Sequence, residues 1–160
     1  MLYSEEFYAA ARKRLRRGGI LAQWLPTGDK EDLAAVARAL QNSFPYVRVF
    51  RWGSRSGYHF LASEQPFPNL TAAELQRRLP PDGALDLAEW APPSEVSEDV
   101  ARADYETLLQ GEISIETMIE QSPATPALSD DRPINEYFLL RRARATKKIP
   151  HLRSVGDSPR

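Results

Sequence analysis

Gly18-Gly19-Ile20-Leu21-Ala22-Gln23-Trp24-Leu25-Pro26 is the stretch on which the fold turns. Six almost continuously apolar residues stand between a glycine pair and Pro26. That is the pattern expected of a buried parallel strand. Upstream, Ser4 is placed to cap a helix. Glu5 and Glu6 suit its positive end, and Phe7, Ala11 and Leu15 recur on one face, which predicts a helix over 5–16. Arg12, Lys13, Arg14, Arg16 and Arg17 complement its negative end, and Gly18 supplies the left-handed stop. Downstream, Asp29 can cap a second helix in which Leu33, Val36, Ala37, Leu40 and Phe44 keep a 3.6-residue period as far as Pro45. A strand flanked by two such helices is part of a βαβ unit.

Tyr46–Trp52 and Tyr58–Ser63 are β-branched and aromatic runs around Gly53-Ser54-Arg55-Ser56-Gly57, so an antiparallel hairpin should close the sheet. From Glu64 to Pro93 six prolines interrupt the chain and leave room for one short helix near 71–79. Ser97 can open a helix running to Gln110, where Gly111 ends it, and Ser114 opens a shorter one through Gln121. Four regions result: an α/β part over 1–65, a proline-rich excursion over 66–96, a helical extension over 97–140, and a basic, partly disordered tail over 141–160.

The 160 residues are 42% hydrophobic and 27% charged, an ordinary globular balance. With 21 basic and 22 acidic side chains, no global field favours nucleic acid or anionic lipid. The basic helix end lacks interleaved aromatics for base stacking, and the Arg141–Arg153 tail offers charge alone, so no nucleic-acid partner is expected. Absence of cysteine removes disulfides and thiolate chemistry. His59 and His151 are far apart in the sequence and make no HxH or HExxH spacing, so no metal site is expected. No apolar run approaches the roughly 20 residues of a membrane span. The acidic turn after Met1 is unlike a secretion signal, and the expected location is the cytoplasm.

Three segments taken in order resemble the C-terminal half of the spermidine synthase (polyamine aminopropyltransferase) family. They are Leu2-Tyr3-Ser4-Glu5-Glu6-Phe7-Tyr8 with the Gly18–Pro26 strand, the return strand Ser56–Ser63, and Ser129-Asp130-Asp131-Arg132-Pro133-Ile134-Asn135-Glu136-Tyr137. The resemblance covers about residues 2–63 and 128–140. It implies an α/β fold, the C-terminal half of a class I S-adenosylmethionine methyltransferase-like (Rossmann-type) doubly wound sheet, with a helical C-terminal extension. In that family the glycine-rich loop, the ribose-binding acid and the acids serving adenine and amine precede the Leu-Tyr-Ser-Glu-Glu-Phe-Tyr segment. The chain is thus expected to be a truncated form that binds no cofactor alone and is inactive alone. Decarboxylated S-adenosylmethionine and a polyamine such as putrescine would be its substrates only with the other half present. The residues agree, since neither Gly18-Gly19 nor Gly53 with Gly57 has the strand–glycines–helix context of a nucleotide cradle.

No catalytic residue is assigned. By resemblance Gln23 and Trp24, at the carboxyl end of their strand, and Trp52, ending the next, would border a substrate pocket, although packing is the favoured role for each. Asp130 and Asp131 are adjacent on an extended chain and point apart, which suits them poorly for acid–base work. A structural clasp is favoured, with Arg132 bridging Asp130 or Glu136 and Pro133 fixing the turn. His59, between Tyr58 and Phe60, is read as packed or solvent-facing. Two functions remain: a part of an aminopropyltransferase-like enzyme, or a non-catalytic assembly module. If strand Ile20–Leu25 normally pairs with a strand of the missing half, the chain alone exposes an apolar edge that invites self-association. The module would instead use its open edge to pair with another chain, and a stable monomer would argue for it.

Overall fold

The computed structural model describes residues 2–51, 57–83 and 100–132. Helix α1 spans Glu5–Arg14, with the Ser4 hydroxyl accepting from the Phe7 N–H at 3.2 Å and its acidic and basic residues at the expected ends. Its last residue, Arg14, is two before the expected end, and Leu15 follows in extended backbone. Gly18 then takes φ +74° and turns the chain into β1, Ile20–Leu25. Helix α2, Lys30–Ser43, buries Leu33, Val36, Ala37 and Leu40 as the periodicity predicts, and Ala34, Ala35 and Ala39 besides. Asp29 sits at its N-cap position without a side-chain cap bond. Beyond it come β2, Tyr46–Arg51, and β3, Tyr58–Ser63. Helix α3, Ala72–Arg78, is closed by a reciprocal capping box between Thr71 and Glu74. Helix α4, Val100–Gln110, leads into a two-residue β4, Glu112–Ile113, and then α5, Ile115–Glu120, capped by Ser114. Ser97 and the turn residues 52–56 lie outside the described residues.

The four strands form one sheet in the order β1-β3-β2-β4, and every neighbouring pair is antiparallel. β3 pairs with β2 from Tyr46↔Ser63 to Arg51↔Tyr58, as expected of a hairpin, and with β1 from Ile20↔Ser63 to Leu25↔Tyr58. β1 and β2 therefore run in the same direction, joined through α2, with β3 between them. The expectation of a buried parallel strand at Ile20–Leu25 is corrected on both counts. Its neighbour is antiparallel, and β1 is the outermost strand, alternating between exposed and half-buried residues. The physical reason is that an apolar run reports how much burial a strand can use, not which strand lies beside it. Here the closing strand lies against β1, and Ile20 and Trp24 remain 50% and 52% exposed.

One continuous core lies between the sheet and the helices α1, α2 and α5. Tyr8, Leu40, Val49, Phe60, Met118 and Leu128 are fully buried there. Each such side chain contributes on the order of 1.5–3 kcal/mol relative to exposure. The inward residue of α1 is Tyr8, while the expected stripe residues Phe7 and Leu15 pack at the core's margin. Polar links stitch the layer together: Asn42 to Glu5 at 2.6 Å, Gln41 to Glu116 at 3.0 Å, and Arg38 to the Pro123 carbonyl at 2.7 Å. Helices α3 and α4 pack on each other over the opposite face of the sheet, where Phe50, His59 and Leu61 point.

β4 had no signature in the sequence. Glu112 and Ile113 pair with Phe50 and Val49, and Arg48 holds Glu112 in a two-pronged ion pair of 2.6 and 2.5 Å. Gly111 makes the approach possible. Its carbonyl accepts from the Arg51 N–H at 2.8 Å, and a side-chain carbon there would collide with the Arg51 carbonyl oxygen.

Candidate functional site

The outer strand β1 holds Gln23 and Trp24, and the segment with Asp130, Asp131 and Arg132 packs against the N-terminus of α1. Strand alternation sends Leu21, Gln23 and Leu25 toward the α1/α2 layer and Ile20, Ala22 and Trp24 toward the other face. Gln23 and Trp24 are neighbours in sequence but lie on opposite faces, so the two do not line one pocket. Trp52 lies outside the described residues.

Gln23 is half-buried and meets Tyr8, whose hydroxyl donates to its Oε1 at 2.6 Å. Burial drives the Tyr8 hydroxyl well above the ordinary tyrosine range. The amide Nε2 of Gln23 is buried with no acceptor among the described residues. A buried donor without a partner costs about 1–3 kcal/mol, and among the described residues this amide shares that state only with the Arg38 Nε. Tyr8 was not singled out in the sequence. Its place at i+1 from Phe7 put it off the stripe the period favoured, and only its hydrogen bond reveals its role.

Trp24 stands opposite His59 in the register. Its indole nitrogen lies close to Gly57, which takes φ +85°, and a side-chain carbon at Gly57 would run into the Leu25 carbonyl. At Gly57 this end of the sheet has backbone packed on backbone. His59 is half-buried and lines an apolar cavity beneath α3 and α4.

Segment 128–132 packs against the N-terminus of α1. The Glu5 N–H donates to the Leu128 carbonyl at 2.9 Å, the Leu128 N–H to Ala35 at 3.1 Å, and the Asp130 N–H to the Glu6 carboxylate at 3.0 Å. Asp130 is held below the usual carboxylate range first by a hydrogen bond from the Ser4 hydroxyl. The clasp in the structure therefore runs from Asp130 to Ser4 and Glu6. Arg132 contributes its backbone N–H to Ser129 at 3.0 Å, and its side chain makes no ion pair with Asp130. Asp131 is exposed. Pro133 and Glu136 lie outside the described residues.

The helix-end basic cluster is partly consumed within the fold, with Arg12 bonding Glu64 at 2.7 Å and the Ser43 carbonyl at 2.9 Å. Among the described residues no group of three or more metal-ligating side chains converges, and no helix is long and apolar enough to cross a membrane. Compared with protein-family models, curated proteins and solved structures, the chain matches none.

Proposed function

We propose that this chain supplies the closing half of a spermidine synthase-like α/β sheet and acts only when a cofactor-binding half is set beside β1. The observation that carries this reading is the mismatch at β1. A strand with the composition of a central one, Ile20-Leu21-Ala22-Gln23-Trp24-Leu25, stands outermost among the described residues, with two large side chains half exposed and a buried amide that lacks an acceptor among them. A further strand along that edge would cover Ile20 and Trp24 and turn β1 into a central strand of a mixed, doubly wound sheet. Segments that carry the family resemblance also meet in space. Tyr8 reaches Gln23, and Ser4, Glu5 and Glu6 hold Leu128 and Asp130.

In the completed protein, an amine attacks the methylene carbon next to the sulfonium of decarboxylated S-adenosylmethionine, the carbon–sulfur bond breaks to release methylthioadenosine as a neutral thioether, and a carboxylate of the other half takes the amine's proton. The part of this chain in that chemistry is positional. It fixes the carboxyl end of β1, and with it Gln23, against the body of the fold through Tyr8.

The reading is tested on residues 1–160 by light scattering during gel filtration. The free β1 edge should drive self-association, and Ala22→Lys, a charge on an exposed edge position, should give a monomer. A wild-type chain that stays monomeric at all concentrations favours an independent, non-catalytic assembly module instead. Calorimetric titration with methylthioadenosine should be flat, and binding to this chain alone would overturn the division of labour.

A further inference from the structure

On the face of the sheet away from the main core, α3 and α4 enclose a cavity of about 420 Å³ with the strands. That volume lies within the roughly 300–1,000 Å³ of small-molecule sites, and its walls are mostly aliphatic and aromatic, as in such sites. Leu61 and Phe50 form the floor, and Phe67, Leu75 and Leu108 the sides. The charged side chains among its described lining are of one sign. Among the described residues two arginines, a histidine and Tyr105 face it, and no aspartate or glutamate does.

The two arginines differ. Arg48 is committed to Glu112 and lies 4.9 Å over the Phe50 ring. Arg78 is exposed at the end of α3 and makes no ion pair among the described residues. Glu74, one turn earlier, has its carboxylate engaged by the N–H and hydroxyl of Thr71. Arg78 is felt by the Glu74 carboxylate only through space, and an apolar chamber with such a guanidinium on its solvent side has the chemistry to hold an apolar chain by its length and an anionic head by its charge. The same charge disfavours a polyamine, which sets this cavity apart from any amine pocket at the end of β1.

We infer that the cavity under α3 and α4 is a second binding site, for a carboxylate carrying an extended apolar chain, with Arg78 holding the carboxylate and Leu61, Leu75 and Leu108 the chain. This goes beyond the proposed function and does not depend on it. The probes are decanoate, decanol and decylamine, titrated into the full chain by calorimetry, with circular dichroism to confirm that each variant is folded. Decanoate should bind, decanol more weakly, and decylamine no more tightly than decanol. Arg78→Glu, on an exposed helix end, should weaken decanoate by about tenfold or more while leaving decanol unchanged. Leu108→Trp, which fills the chamber, should abolish both. Three results would each overturn the inference: no decanoate binding, as when the chain's own segment 84–99 or 133–160 covers the cavity; equal binding of decylamine; or an Arg78→Glu variant that binds decanoate as wild type does.

Discussion

Tyr8 and Gln23 form the pair on which the sheet's outer strand depends at the residue scale. Tyr8→Phe keeps the ring's burial but leaves the Gln23 Oε1 without its donor. It should cost about 1–3 kcal/mol in urea unfolding, and the double variant Tyr8→Phe/Gln23→Leu should recover part of that loss. A Tyr8→Phe variant as stable as wild type would show that the ring, not the bond, carries the stability. The pair also has a pH signature. Because the folded-state pKa of Tyr8 is raised, its contribution is complete below the unfolded value of about 10 and is lost as pH rises beyond it. The alkaline fall in melting temperature should therefore be shallower in Tyr8→Phe than in wild type. Neither residue's role was legible in the sequence, because a hydrogen bond across 15 positions depends on which side of α1 turns inward.

Caps are where the elements were most legible. Ser4, the Thr71/Glu74 box and Ser114 each satisfy helix N–H groups through their own side chains, so α1, α3 and α5 begin where a local signal places them. The end of α1 was less so, because the chain leaves the helix at Leu15 to reach β1 before Gly18 can act as the stop. β4 was illegible for a different reason. Two residues carry no periodicity, and their strand character comes from lying against β2. Gly111 is the element-scale determinant of that approach. Gly111→Ala should cost about 1–3 kcal/mol through overpacking against the Arg51 carbonyl, and amide exchange should then speed at Arg51, Glu112 and Ile113. A variant with unchanged exchange at those amides would show that β4 is held by the Arg48–Glu112 pair alone.

For the molecule as a whole, the clasp joins the start of α1 to segment 128–132, the two ends of the described chain. It is electrostatic on one side, through Asp130. A carboxyl whose folded pKa is depressed stabilises fully above its unfolded value of about 3.9, and that stabilisation is lost as pH falls through the lower folded value. Asp130→Asn should therefore lower the melting temperature at neutral pH and flatten its dependence on pH below about 4. Equal acid slopes in variant and wild type would place the clasp in the backbone bonds of Leu128 and Asp130 instead.

Composition and local pattern by themselves determined that this is a mixed α/β chain, where most of its helices begin, and that the 46–63 region returns on itself as an antiparallel pair. Those properties rest on interactions within a few residues: caps, glycine and proline stops, and the period of the apolar positions. Only the tertiary structure decided that β3 lies between β1 and β2, that Gln23 and Trp24 face opposite ways, and that Asp130 answers to Ser4 and not to Arg132. Strand order and side-chain partnership are set by how layers stack, and an apolar run such as Ile20–Leu25 has the same sequence whether a second strand flanks it or solvent does.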